Sequence, residues 1–131
     1  MTAAETSMAA GDPGAQPVLA VENLRAYYQM QYYGIDREVR AVDDITLHVN
    51  RNEIYGLAGE SSCGKTSFIK TIAAANRPPL NVIGGSAKYS FLDRDIFRLS
   101  EAELSRVRWK HLSYIMQGSM NVLNPVRRVR K

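Results

Sequence analysis

Cysteine is almost absent from this 131-residue chain, because Cys63 is the only one. A single cysteine excludes a disulfide framework and a cysteine-built metal site, and it is compatible with a reducing compartment. Long apolar runs are lacking too, which excludes a transmembrane helix. The first basic residue is Arg25, which excludes the basic start of a secretory signal. Together these absences predict a cytosolic chain.

The body of the chain also lacks an excess of charge of one sign. The 17 Lys and Arg residues against 13 Asp and Glu residues give a net charge of +4. Four of the positive charges lie within the last five residues, RRVRK, so residues 1–126 are neutral. A nucleic-acid binder needs a basic face rather than a short basic terminus, so we expect no nucleic-acid partner.

The length allows one ordinary globular domain. Residues 1–17 combine small residues with proline and glycine and predict a disordered N-terminal tail. The domain is expected over residues 18–126, followed by a basic tail at 127–131. Within the domain, apolar alternation predicts strands at 18–24 and 39–49, joined by a polar, tyrosine-rich hairpin loop at 29–38.

Further elements are expected after the hairpin. The short apolar run at 53–59 predicts a buried strand, and helical spacing of apolar residues predicts a helix at 65–75, stopped by the two prolines that follow. Ser100 and Glu103 have the spacing of a capping box, which predicts a helix at about 101–110. Additional strands are predicted at 86–92 and 111–116.

The segment from Gly59 to Thr66, GESSCGKT, matches the phosphate-loop pattern G-x-x-x-x-G-K-[ST] between a predicted strand and a predicted helix. Gly59 and Gly64 let the backbone curl so that its amides converge on phosphate, and the helix adds the positive end of its dipole. Lys65 would reach the β and γ phosphates, and Thr66 offers a small hydroxyl to Mg²⁺. The alternative is a chance turn with a surface lysine, which the strand–loop–helix context disfavours.

Several separated segments match one family in order. They are VENLRAYY at 21–28, RAVDDITL at 40–47, GLAGES at 56–61, LSEAEL at 99–104, RWK at 108–110 and IMQGSMNVLNP at 115–125. Over about residues 18–129 the chain resembles the nucleotide-binding subunits of ABC transporters, of the oligopeptide and dipeptide importer type. The resemblance implies an α/β P-loop NTPase fold, an ABC-type ATPase core with an antiparallel β subdomain, truncated after the glutamine loop.

The resemblance also implies roles for individual residues. Tyr28 would stack on adenine, with Tyr27 as its competitor, and Gln117 would reach the metal and the attacking water, unless it is only a turn residue. Lys65 and Gln117 would then be the catalytic residues, and Thr66 and Gln117 the metal ligands, with ATP and Mg²⁺ as cofactors. The nucleotide-binding residues would be Tyr28, Gly59, Glu60, Ser61, Ser62, Cys63, Gly64, Lys65, Thr66 and Ser67. Cys63 is expected to pack or to offer its amide rather than to act as a nucleophile.

The function implied is ATP binding by a subunit that powers peptide import, with oligosaccharide or nickel as alternative cargoes. Its partners would be transmembrane permease subunits and a second ATPase subunit arranged head to tail, at the inner face of the cell membrane. No signature motif, catalytic glutamate or switch histidine follows Gln117, so we expect this chain alone to be inactive. Two other classes stay open: another P-loop kinase or NTPase, and a non-catalytic nucleotide-binding regulator.

Two positions depart from the family pattern. Ser62 and Asn52 both stand where glycine is common, and a positive φ there would strain serine by about 1 kcal/mol, whereas asparagine tolerates it better. The two histidines, His48 and His111, lack a partner at ligand spacing and are expected to be strand residues. Asp93 and Asp95 are expected in a solvated turn.

Overall fold

The computed structural model describes residues 17–115. Three expectations therefore lie outside the described residues: the disordered tail up to residue 16, the basic tail at 127–131, and every role given to Gln117. The domain limit at 126 lies outside the described residues too, and the division of the chain into tail, domain and tail stays a prediction. Pro17, which was expected to end the tail, is instead the first residue of a strand.

A three-stranded antiparallel sheet carries most of the described residues. Its strands are β1 (Pro17–Tyr32), β2 (Ile35–Asn50) and β3 (Leu80–Tyr89), in the order β2-β1-β3. Helix α1 (Lys65–Ile72) lies between β2 and β3 in sequence. A short 3-10 helix (Ile96–Arg98) and helix α2 (Glu101–Lys110) follow β3.

The hairpin of β1 and β2 is longer than the sequence predicted, and the expected loop at 29–38 is wrong. Cross-strand pairing continues from Tyr28 and Val39 outward to Tyr32 and Ile35. Only Tyr33 and Gly34 remain for the turn, with φ values of 50° and 74°. Two successive residues with positive φ match the twist of a two-residue hairpin. The polar residues that suggested a loop lie on strands exposed to water.

The core lies where the sheet meets α1 and the segment after β3. Its buried residues are Leu19, Val21, Leu24, Ala26, Val42, Phe68, Ala74, Leu80, Ala87, Tyr89 and Ile96. Strand β1 contributes four of them, more than any other element, because it is central in the sheet and is covered on both edges. Helix α1 contributes Phe68, which is held against the sheet. This packing fixes α1, and with it the phosphate loop, on one face of the sheet.

Two predicted strands are absent from the described residues. No regular structure forms over residues 53–60, where Ile54 is 96% exposed. Residues 112–115 are also irregular, and Ile115 is 87% exposed. A buried parallel strand needs neighbours on both sides to pair its backbone and cover its apolar side chains. Within residues 17–115 no strand lies beside either segment.

The prediction for α2 is confirmed, because it spans Glu101–Lys110 and begins with a complete capping box. The Ser100 hydroxyl accepts from the Glu103 amide, and the Glu103 carboxylate accepts from the Ser100 amide at 2.8 Å. The hydrogen bonds that the Glu103 carboxylate accepts, first from the Ser100 amide and then from the Ser100 hydroxyl, lower the pKa of Glu103. His111, expected on a strand, instead caps the C-terminus of α2 and stacks its ring on Phe91.

The other boundaries moved by several residues. Strand β3 starts six residues before the predicted strand at 86–92 and ends three residues before its end. Asp95 caps the 3-10 helix by accepting from the Phe97 amide at 2.8 Å, whereas Asp93 is exposed in a turn as expected. Helix α1 ends at Ile72 rather than near residue 75.

Candidate functional site

Gly64 joins the phosphate loop to α1 and must be a glycine. It is the N-cap residue of α1, with φ of 92°, and a Cβ there would run into the carbonyl oxygen of Ala41 on β2. No side chain caps this end of the helix. The first amides of a helix have no partners within it, and together with the helix dipole they favour an anion. The loop thus presents an uncapped helix end, held close to β2.

Lys65 lies across the same loop. Its ammonium group donates to the carbonyl oxygens of Gly59, at 2.6 Å, and Glu60, and lies 3.3 Å from the Cys63 sulfur. A Cβ on Gly59 would come within 2.8 Å of that sulfur, so this glycine makes room for the half-buried thiol. The structure therefore brings the positive charge to the uncapped helix end. Cys63 packs against the loop, as expected.

Both departures from the family pattern, Ser62 in the loop and Asn52 in the turn after β2, have a positive φ. Ser62 has φ of 66° and Asn52 has φ of 60°. A serine in the left-handed region is strained, whereas an asparagine is tolerated there. The loop therefore forms with serine at position 62, at a local conformational cost.

Replacing Ser62 with glycine is expected to raise the free energy of unfolding by about 0.5 kcal/mol, because relief of the strain exceeds the added entropy of the unfolded chain. Ser61→Gly is the matched control, because the backbone at position 61 has no positive φ to relieve. It should lower stability slightly. Urea unfolding of the two variants gives the comparison, and a less stable Ser62→Gly chain would contradict the strain.

Tyr28, and not Tyr27, lies beside the first turn of α1. The Tyr28 hydroxyl is 3.0 Å from the hydroxyl of Ser67, a buried residue of that turn. Tyr27 is bound elsewhere: its hydroxyl donates to the Asp43 carboxylate at 2.5 Å, and Arg40 lies 5.6 Å from its ring centre. The bond to Asp43 raises the pKa of Tyr27. The geometry thus favours Tyr28 for an aromatic role at the loop.

The remaining predicted residues divide into two groups. Glu60, Ser61 and Thr66 are exposed along the loop and at the start of α1. Gln117 lies outside the described residues, so its pairing with Thr66 stays a prediction. Within residues 17–115, no group of three or more His, Cys, Asp or Glu side chains is arranged to hold a metal. A cation here would depend on Thr66 and on oxygen atoms of the ligand.

Sequence reasoning missed the contacts at the far end of α1. Tyr89 donates to the Ile72 carbonyl at 2.8 Å, and burial raises the pKa of Tyr89 to about 12. Arg108 on α2 donates to the Ala74 carbonyl. An open cleft of about 700 Å³ lies beside these residues, well away from the phosphate loop, and is lined in part by Arg77, Phe97 and Arg108. No local pattern marks these contacts, because the partners are far apart in sequence.

Comparisons with known proteins match this chain to one family. A family model described as "ABC transporter" matches residues 42–131. The oligopeptide transport ATP-binding protein of Salmonella typhimurium is 36% identical over 132 residues, which cover 98% of this chain and 36% of that protein. The dipeptide transport ATP-binding protein of Caldanaerobacter subterraneus is 29% identical over 112 residues, covering 86% of this chain and 32% of that protein.

A third relative imports a different cargo by its name. The methionine import ATP-binding protein of Lacticaseibacillus paracasei is 38% identical over 95 residues, or 72% of this chain and 25% of that protein. The chain spans about a third of the length of the peptide-transport relatives. Neither helix among residues 17–115 is long and apolar enough to cross a membrane. Because the family model covers more than half of the sequence, the chain belongs to the ABC transporter family, and its matched residues to the P-loop NTPase fold.

Proposed function

We propose that this chain is the nucleotide-binding part of an ATP-binding subunit that powers peptide import. The observation that carries the proposal is the convergence of three features at one end of α1. These are the uncapped helix end after Gly64, the ammonium group of Lys65, and the ring of Tyr28 beside Ser67. These features match the parts of ATP. The helix end and the ammonium group suit the negatively charged phosphates, and the tyrosine ring offers a surface on which the base can stack.

The residues present fit ATP and Mg²⁺ in charge and in shape. Gly64 lies too close to β2 to carry a side chain, which fits a loop whose backbone amides face phosphate. Lys65 would exchange its bonds to the loop carbonyls for bonds to phosphate oxygens, which are stronger because both partners are charged. Thr66 would hold Mg²⁺, with Gln117 as its proposed second protein ligand. Bound Mg²⁺ neutralises charge on the phosphates during transfer to water.

Peptide import is proposed from the names of the relatives, which are oligopeptide and dipeptide transport ATP-binding proteins. For the whole protein we propose ATP hydrolysis at the inner face of the membrane. Its proposed partners are permease subunits and a second ATPase subunit arranged head to tail. A methionine import ATP-binding protein is also similar to this chain, so the similarity does not by itself select the cargo.

Replacing Tyr28 with alanine is expected to weaken binding of a fluorescent ATP analogue by about tenfold, because stacking on a base contributes about 1–3 kcal/mol. Tyr33→Ala is the matched control, since Tyr33 is 90% exposed at the hairpin turn, and it should leave the affinity unchanged. Titration followed by fluorescence anisotropy gives both values. Equal affinities in the two variants would show that Tyr28 does not bind the base. If the parent chain does not bind the analogue, the proposed function is contradicted.

The cargo is tested in the host cell. Deleting the gene is expected to reduce uptake of a labelled tripeptide severalfold and to leave uptake of a labelled oligosaccharide and of nickel unchanged. Restoring the gene should restore uptake. Loss of nickel or oligosaccharide uptake with normal tripeptide uptake would contradict the peptide assignment and identify the alternative cargo.

A further inference from the structure

The C-terminal end of α1 is closed by a turn that suits glycine but contains alanine. The Ala74 amide donates to the Thr71 carbonyl, and the Ala75 amide donates to the Lys70 carbonyl. This pair of bonds is the Schellman arrangement, in which the residue at the Ala74 position is left-handed. Ala74 has φ of 48°, which strains any residue with a Cβ. The turn therefore needs support from outside α1.

Arg108 supplies that support from α2. One nitrogen of its guanidinium, Nη2, donates to the carbonyl oxygen of Ala74, and Nη1 donates to the Glu101 carboxylate at 2.7 Å. The third nitrogen, Nε, is buried and has no hydrogen-bond partner among residues 17–115. The guanidinium is thus held between a carboxylate of its own helix and the strained end of α1. A positive charge at a helix C-terminus is also favoured by the helix dipole.

The length of α1 connects this end to the phosphate loop. The helix has eight residues, so its last residue, Ile72, lies about 10 Å along the helix axis from Lys65. Helices this short are marginal, and fraying of one turn removes a large share of their hydrogen bonds. A contact that stabilises the C-terminal end of α1 therefore also keeps its N-terminal end, next to the phosphate loop, ordered.

We propose that Arg108 is a positioning residue for the phosphate loop, which it orders by closing the C-terminal end of α1. This proposal rests on the proposed function only in taking ATP as the ligand of the loop. Arg108 does not touch the phosphate loop in this structure. Its effect on nucleotide affinity passes through Ala74 and the body of α1.

The test is a double-mutant cycle that combines Arg108→Ala with Ala74→Gly in this chain, at a temperature well below the unfolding midpoint. Arg108→Ala is expected to weaken binding of a fluorescent ATP analogue by about tenfold, the usual scale for losing a charged hydrogen bond. Glycine adopts the left-handed turn without strain. In the Ala74→Gly background the same substitution should therefore cost at most about threefold, a coupling that the cycle isolates.

Two further variants separate positioning from general destabilisation. Arg108→Lys keeps one donor for the Ala74 carbonyl and should recover part of the affinity. Arg94→Ala is the matched control, because Arg94 also pairs with a carboxylate of α2, Glu103, at 3.1 Å, but makes no bond to α1. It should leave the affinity unchanged. Equal losses in Arg94→Ala and Arg108→Ala would overturn the proposal.

Hydrogen exchange of the α1 amides tests the positioning without a ligand. Exchange of the amides of residues 69–73 is expected to be faster in Arg108→Ala and unchanged in Arg94→Ala. If the parent chain does not bind the ATP analogue but these amides exchange faster in Arg108→Ala than in the parent, the proposed function fails and the positioning role stands. If the parent binds and Arg108→Ala changes neither affinity nor exchange, the positioning role is overturned and the proposed function stands.

Discussion

Replacing Lys65 with alanine is expected to weaken binding of a fluorescent ATP analogue about a hundredfold in the presence of Mg²⁺. The ammonium group provides the positive charge at the loop, and each hydrogen bond between charged partners contributes about 1.5–3 kcal/mol. Its present partners are two loop carbonyls, Gly59 and Glu60, which are neutral and would yield to phosphate. Anisotropy titration with the analogue, and competition by unlabelled ATP, measure the change.

Cys63→Ala is the control for that experiment. The Cys63 sulfur lies within 3.3 Å of the Lys65 ammonium, so the substitution changes the surroundings of the same charge without removing it. The backbone amide of residue 63 is retained. We therefore expect an affinity within about threefold of the parent, below the scale of one charged hydrogen bond. Equal losses in Lys65→Ala and Cys63→Ala would show that the loop does not hold phosphate through Lys65.

Replacing Gly64 with alanine is expected to abolish measurable nucleotide binding and to lower the thermal midpoint. The new Cβ would collide with the backbone of Ala41, which cannot move away as a flexible side chain could. The φ of 92° adds strain of about 1–2 kcal/mol for any residue other than glycine. The collision is relieved only if the loop moves away from β2, so the helix end and Lys65 would lose their arrangement.

Gly56→Ala provides the matched control for Gly64→Ala. A Cβ at position 56 would meet nothing within 4 Å, and its backbone shows no positive φ. This substitution should change neither the affinity nor the thermal midpoint. Nucleotide binding by Gly64→Ala at the level of Gly56→Ala would show that the close contact of the loop with β2 is not required for the site.

The parts of the fold that sequence predicted well depend on contacts between near neighbours. The capping box joins Ser100 and Glu103, which are three positions apart, so their spacing alone predicted where α2 begins. The phosphate-loop pattern is local in the same way, because its glycines and Lys65 lie within eight positions, and helix α1 begins at Lys65 as the pattern predicts.

The strand at 53–59 shows why other predictions failed. Its apolar composition is that of a buried strand, but a strand forms only when neighbouring strands accept its backbone hydrogen bonds. Composition reports the preference of the segment and carries no information on whether those neighbours are present. The prediction of a loop at 29–38 failed in the opposite way, because a segment without strand-like composition formed strands. Pairing between β1 and β2 provides hydrogen-bond partners for its backbone out to Tyr32 and Ile35.

The sequence by itself determined the phosphate loop, the start of α2 and the family, because each is written in short runs of residues. Only the tertiary structure distinguishes the positions of the two tyrosines: Tyr28 lies beside α1, whereas Tyr27 binds Asp43. The register of β1 is irregular between Leu24 and Tyr27, so Ala26 and Tyr27 are both buried and simple alternation cannot assign the faces of the strand. The bond between Arg108 and Ala74 spans 34 positions, and its existence depends on how α2 returns to α1. Such contacts arise from the packing of distant segments, which local sequence patterns do not encode.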